Sequence, residues 1–485
     1  MHSLKPLRNL QTLTAFASLC FALPAVAQAP EAKPAAAPQY GEMTPLESFD
    51  GPSSGTYNPT ATEAERIAWF REAKFGMFIH WGLPSKMAGY WKGKKIGGGE
   101  WALRMSKLPI EEYRALAKEF NPVKFNADEW VLLAKAAGMK YMVVTSKHHD
   151  GFAMFRSKVS PYNIVDATPF KRDPIMELKE ACDRHGLKLG LYYSHAQDWN
   201  EPDAYGNKWS WPGYPRSMDK YLDEKSIPQI RELCEQYHPA ILWFDTPGEI
   251  TEARADQIIK MARELVPNVL INNRIGGLPK SRRGLPATDY NTSGDNQPYP
   301  QYQMVPWELC GTLNKSWGYK EWDKEFRPVS ELLTHLIDAV SKNGNYLLNV
   351  GPTCEGIITE EYASRLRAMG AWIKVNGEAI YGCGGTPWGT EFGDYGMVNG
   401  KRKFIPASVV WRATTKPGKV FIHVLQWPQD GKLVLPALKG EIQNAHLLAA
   451  PAAEVKVEQG EDKITLTLPA NALDPIATVL CVELK

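Results

Sequence analysis

The chain has 485 residues, 44% of them hydrophobic, which exceeds one average domain and is ample for a packed core. Its 56 basic and 54 acidic residues leave a formal charge of +2, so there is no electrostatic case for nucleic acid or an anionic membrane as partner. Sixteen Trp and twenty Tyr stand out instead; aromatic faces suit sugar C–H surfaces as well as cores.

The N-terminus reads as a secretory signal over 1–27. Lys5 and Arg8 supply the positive region, Leu13 to Leu23 an apolar stretch, and Ala25-Val26-Ala27 a small-residue cleavage site before Gln28. The apolar stretch is short for a spanning helix and no later segment qualifies, so a periplasmic or secreted mature protein is expected, with no membrane span. Residues 28–58, rich in Ala, Pro, Gly and Ser, read as a flexible leader. Six cysteines remain beyond the signal (Cys182, Cys234, Cys310, Cys354, Cys383 and Cys481). They lack C-x-x-C spacing, so no zinc site or dense disulfide framework is expected, although one or two disulfides stay open.

A first helix is signalled at Thr62, where T-E-A-E has capping-box spacing to Glu65 and sets Ile67 and Phe70 on one face. Strands and helices then alternate. Strands are predicted at 75–79, 141–146, 188–193, 240–244, 269–272, 287–290, 304–309 and 346–350, and helices at 126–137, 172–185, 217–236, 251–265, 329–342 and 359–375. Gly138 and Gly186 sit where helices stop. The alternation argues an α/β fold, a (β/α)8-like barrel over 59–387. After residue 388 the segments VFIHVLQW, KLVLPAL, AHLLAA, EVKVEQ, KITLTL and TVLCVEL are short and alternating, which predicts an antiparallel β-sandwich over 388–485.

Four barrel strands run apolar and then stop on a chemically capable residue: FGMFIHWG at His80, YMVVTSKHHDGF at His148 and His149, LGLYYSH at Tyr192 and Tyr193, and ILWFDTP at Asp245. Apolar runs show burial on both faces, and a barrel gathers such strand ends at one rim. The pair His148-His149 suits sugar hydroxyls or a metal. Adjacent strand residues face opposite ways and no H-x-H or HExxH spacing is present, so no metal is expected. Asp245 as a nucleophile requires a second carboxyl about 5 Å away. The plainer alternative is a buried Asp paired with Arg274, which ends the next strand in LINNR.

These motifs, with GGGEW, INNR, WELCGT, SWGY and GNYLLNVGP, occur in the order found in α-L-fucosidases of glycoside hydrolase family 29, and residues 60–385 resemble that family. The resemblance implies a (β/α)8-like barrel with a trailing sandwich, retaining hydrolysis of terminal α-L-fucosides on fucosylated glycans, and no cofactor. It implies Asp245 as nucleophile. Sugar contacts would fall to His80, Glu100, Trp101, His148, His149, Tyr192, Trp243 and Arg274, with Trp317 near the sugar's methyl.

One stretch departs from the family pattern. Where relatives carry D-aromatic-x-T-x-E, whose Glu is the acid/base, this chain has Asp289 to Asn296, and the expected Glu falls on Gly294. Asp295 is the leading candidate acid/base, because a neighbouring Gly lets the backbone lie closer for the shorter side chain. Glu308 of PWELC is the alternative; an acid in another loop, or none, is the third. The altered stretch also leaves open a related sugar such as L-galactose, or a sulfated fucoside met by Arg282 and Arg283. A catalytically silent fucose-binding protein and a metal-dependent hydrolase complete the alternatives. The sequence leaves the oligomeric state open, a homo-oligomer included.

Overall fold

A computed structural model describes residues 60–276, 288–398 and 401–485. The predicted signal and leader, and Arg282 and Arg283, lie outside the described residues.

Eight parallel strands carry the fold: β1 (Phe75–Ile79), β2 (Tyr141–Lys147), β3 (Lys188–Tyr193), β4 (Ile241–Phe244), β5 (Leu270–Ile271), β6 (Asn291–Thr292), β7 (Trp307–Thr312) and β8 (Gly344–Val350). They pair in the order β5-β4-β3-β2-β1-β8-β7-β6. A parallel bridge between Asn272 and Tyr290 joins the two end strands, with Asp289 N–H donating to the Ile271 carbonyl at 2.8 Å. The ring is thereby closed and leaves no edge. β1 and β3 match the sequence expectation to the residue. The strands expected at 287–290 and 304–309 lie three to four residues later, at β6 and β7. β6 is only Asn291-Thr292, a polar pair with no apolar signature; pairing with Trp307 and Glu308 of β7, not propensity, makes it a strand.

The helices follow with α1 (Ala61–Ala73), α2 (Ala127–Ala136), α3 (Pro174–His185), α4 (Ile227–Tyr237), α5 (Glu252–Leu265), α6 (Val329–Ser341) and α7 (Glu360–Asn376). The capping box of α1 is Thr60 with Glu63, two residues before the expected pair. T-A-T-E-A-E contains the T-x-x-E spacing twice, and the earlier copy gives the longer helix. The helix expected over 217–236 is broken: Met218–Tyr221 passes through a π-turn at Leu222–Ser226 into α4. Pro228 has no N–H to give the preceding turn, which is why the ladder slips there. Gly138 and Gly186 have φ of 84° and 74°, as the stops require.

Two apolar layers result. Inside the barrel, Phe78, Val143, Tyr192, Trp243, Tyr290 and Leu347 pack together, and Ile67 and Phe70 of α1 plug one end. Outside it, the opposite strand faces pack against the helices. That two-sided burial is what the continuous apolar runs encode.

The C-terminal strands are β9 (Gly393–Val398), β10 (Lys401–Pro406), β11 (Trp411–Lys416), β12 (Lys419–Val424), β13 (Lys432–Pro436), β14 (Ile442–Leu447), β15 (Lys456–Gln459), β16 (Lys463–Thr467) and β17 (Thr478–Leu484). A sheet β11-β12-β17-β14 faces a sheet β13-β16-β15, and β9-β10 forms a separate hairpin. The β9-β10 hairpin and β11 were not among the expected strands. The sandwich also shares the barrel's outer core: Phe421, Val479 and Cys481 belong to the same apolar layer as the helices. Arg412 of β11 reaches buried Asp338 of α6 at 2.7 Å, and Trp372 of α7 donates to the Ala477 carbonyl at 2.9 Å. The six cysteines among the described residues are free thiols, so the disulfides left open for them are not formed. No helix among the described residues is long and apolar enough to cross a membrane.

Candidate active site

The strand ends meet at one rim of the barrel, and Asp245 directly follows β4. Its Oδ1 accepts from Arg274 Nη1 at 3.0 Å and from the N–H of Thr246 at 2.9 Å. Its Oδ2 accepts from the Tyr192 hydroxyl at 3.0 Å and lies 3.8 Å from His149 Nε2. Burial alone would raise the carboxyl's pKa, but the Arg274 charge, His149 and these hydrogen bonds outweigh it and hold Asp245 below its usual value. The group is therefore an ionised carboxylate, only 15% exposed. Thr246 holds φ of 42°, a left-handed conformation costly for a β-branched residue.

Arg274 pairs with the buried Asp245, as the plainer reading has it, and links it to a second carboxylate. From the turn after β5 its Nε donates to the Thr292 hydroxyl at 2.8 Å, and its Nη2 to the Ser293 carbonyl at 3.0 Å and to Asp295 Oδ1 at 2.8 Å. The guanidinium lies 4.8 Å from the Trp243 ring centroid, a cation–π contact. Asp295 sits in a tight turn closed by Gln297 N–H to the Gly294 carbonyl (2.9 Å). The next residue, Asn296, has φ of 56° and accepts from the Thr312 N–H at 2.8 Å, which ties the turn to β7. The Cys310 thiol, 3.6 Å away, also donates to Asp295 Oδ1. The Asp295 side chain is half exposed.

Glu308 is placed differently. It is fully buried inside the barrel, where Tyr141 donates to Oε2 at 2.6 Å and Trp243 Nε1 to Oε1 at 2.8 Å. Burial pushes it up to about 7 against those two hydrogen bonds and the Arg274 charge. With both oxygens engaged by the barrel lining, its evident work is to hold Trp243, which stacks on Tyr192 with centroids 5.6 Å apart.

The other candidates form the wall. His80 Nδ1 meets Asn349 Oδ1 at 2.7 Å, and burial pushes the imidazole down to about 4. His148 stacks on Tyr192 (5.3 Å, interplanar 9°) and is lowered well below its usual value by burial. His149 Nδ1 meets the Ser194 hydroxyl at 2.7 Å, and burial takes it to about 3. All three are neutral imidazoles. His148 Nδ1 and His149 Nε2 are buried with no hydrogen-bond partner. Orphaned buried polar atoms of this kind are what a polyhydroxylated ligand satisfies.

The GGGEW loop meets the SWGY loop. Gly99 has φ of 51° and a Cβ there would lie 2.6 Å from the Ser316 hydroxyl, so only glycine fits. Glu100 Oε2 then accepts from the Gly318 N–H at 2.7 Å, and burial raises this carboxyl to about 7. Trp101 lies 4.9 Å from His149, and Trp317 lies 5.0 Å from His80, ring to ring.

Every sequence-predicted site residue except Glu308 and Trp243, which lie together in the barrel interior, is thus on this rim. Tyr193 faces away, donating to Gln229 at 2.8 Å, as strand alternation demands. Sequence reasoning missed Asn349, Ser194 and Cys310. All three stand inside quoted motifs, but nothing local showed which neighbour each would orient. Among the described residues the grouping of three potential metal ligands, His446, Cys481 and Glu483, lies on β14 and β17 of the sandwich, not here.

The family model for α-L-fucosidase matches residues 47–378. Tissue α-L-fucosidase of Rattus norvegicus is 32% identical over 390 residues, covering 76% of this chain and 79% of the relative. Among solved structures, α-L-fucosidase from Vibrio sp. strain EJY3 superposes with a TM-score of 0.78 at 32% identity, covering 88% of this chain and 74% of that one. α-L-Fucosidase isoenzyme 1 from Paenibacillus thiaminolyticus gives 0.75 at 34% identity, covering 88% and 100%.

Proposed function

This chain belongs to the α-L-fucosidase family, and on that premise we propose that Asp245 and Asp295 divide a double displacement between them on terminal α-L-fucosides of glycans. The observation that carries the assignment is that one guanidinium, Arg274, hydrogen-bonds both carboxylates. Two carboxyls gathered on one cation suit the retaining spacing of about 5–5.5 Å better than the wider inverting one. Asp245, ionised and fixed by its donors, attacks the anomeric carbon and forms a glycosyl–enzyme ester. Asp295 protonates the departing oxygen, then takes a proton from water as that water attacks the ester and releases fucose with its configuration retained. His80, Glu100, His148 and His149 take the ring hydroxyls, and Trp101, Trp243 and Trp317 wall the apolar surface, Trp317 beside the methyl.

The test compares fucose release from an aryl α-L-fucoside and from a fucosylated oligosaccharide, with NMR of the first-formed anomer. Retained α-fucose from both is expected. An inverted product sinks the nucleophile assignment, and activity on the aryl compound alone sinks Asp295 as an efficient acid.

The protein is also read as exported. Lys5, Arg8, the apolar run and Ala25-Val26-Ala27 support that, and mass spectrometry of the mature chain should find it beginning at Gln28.

A further inference from the structure

Asn349 of β8 is held from two sides. Its Nδ2 donates to the Trp317 carbonyl at 2.8 Å, which leaves its oxygen to meet His80 Nδ1 at 2.7 Å. A reversed amide would set oxygen against carbonyl oxygen, so the Trp317 carbonyl fixes the orientation. An amide oxygen only accepts. The contact is therefore a hydrogen bond only if Nδ1 carries the imidazole's single proton, which leaves a lone pair on Nε2. Nε2 has no hydrogen-bond partner among the described residues, and the His80 ring packs against Trp317, His148 and Tyr192 (5.0, 5.5 and 5.6 Å between centroids), the last of which donates to Asp245. His149 lacks this constraint. Its Nδ1 partner is the Ser194 hydroxyl, which can donate or accept.

We infer that Asn349 is a positioning residue that locks His80 as a hydrogen-bond acceptor, so the site selects a sugar bearing a hydrogen-bond donor at the position facing His80. The identity of that sugar rests on the fucosidase reading; the tautomer does not. A hydroxyl there satisfies Nε2. A hydrogen or fluorine cannot donate, and either leaves the acceptor unpaired once the sugar covers it.

The experiment uses the full chain with ¹⁵N-labelled histidine and long-range ¹H–¹⁵N correlation at neutral pH. His80 signals are identified by their loss in His80→Gln. The expected pattern is a protonated Nδ1 and a bare Nε2, shifted toward Nε2–H in Asn349→Leu. A protonated Nε2 in the wild-type protein overturns the proposal. The second arm needs no variant: competitive inhibition by L-fucose and by its singly deoxygenated and singly fluorinated analogues. At one ring position both replacements should weaken inhibition alike, by about 10- to 100-fold. If fluorine restores affinity at every position where hydrogen loses it, the selection rule is wrong. If L-fucose does not inhibit and no fucoside is cleaved, the fucosidase reading falls, while the NMR pattern still decides the tautomer.

Discussion

The two carboxylates that share Arg274 sit in opposite surroundings. Asp245 ends a buried strand, is 15% exposed and accepts from Arg274, Tyr192 and its neighbour's backbone. Asp295 lies in a turn, is half exposed, and accepts from Arg274 and a thiol. The difference matches two chemistries. A nucleophile must be ionised and fixed when it attacks and must leave as a carboxylate when water frees the sugar, so a rigid donor cage serves it. An acid/base must exchange a proton with the leaving oxygen and then with water, so it needs solvent and freedom to move.

Breaking the rigid side should cost most. Asp245→Gly is expected to lower turnover on both substrates by on the order of 10⁴-fold or more, with the fold intact by circular dichroism. Comparable activity would make Asp245 structural. Asp295→Asn should cost about 10²–10⁴-fold on an oligosaccharide and much less on an aryl fucoside, whose leaving group needs little protonation. If Glu308→Gln shows that pattern instead, the acid has been misassigned.

Arg274→Lys tests what joins the two regions. Lysine cannot bond both carboxylates as a planar fork, so Asp245 loses stabilisation of its ionised form. Its pKa should rise, and the acid limb of kcat/KM against pH should move to higher pH by about one unit. An unmoved limb would mean that Arg274 does not control the nucleophile.

Glu308→Gln should also report through stability. The folded carboxyl titrates at about 7 against a usual 4.5, so between those values the folded state binds more protons and wild-type stability falls as pH rises. Glutamine does not titrate. The Tm difference, variant minus wild type, should therefore become more positive from pH 5 to pH 8, by an equivalent of up to about 3 kcal/mol. The smallest effect concerns the strained residue after the nucleophile. Thr246→Gly removes the left-handed penalty and should raise stability by about 1 kcal/mol in urea unfolding.

Much of the fold was legible. The runs at 75–79 and 188–193 are apolar over their length because both faces are buried, and a local pattern is enough to find them. Asp245, His80 and the His148-His149 pair were legible for the related reason that polar residues directly after such runs must emerge at the barrel rim. Illegible were elements whose cause is distant: β6, made a strand by its pairing with β7, and β11, whose Arg412 is buried only because Asp338 waits for it.

The sequence by itself determined the apolar strands of the barrel, the rim and which chemical groups stand on it, because hydrophobic periodicity and strand direction are local properties. Only the tertiary structure decided the state of those groups. Arg274 joins Asp245 to Asp295, Glu308 turns inward to Tyr141 and Trp243, and His80 finds Asn349 across 269 positions of chain. Charge and tautomer depend on burial and on partners a few ångströms away, and those distances exist only once the barrel has closed.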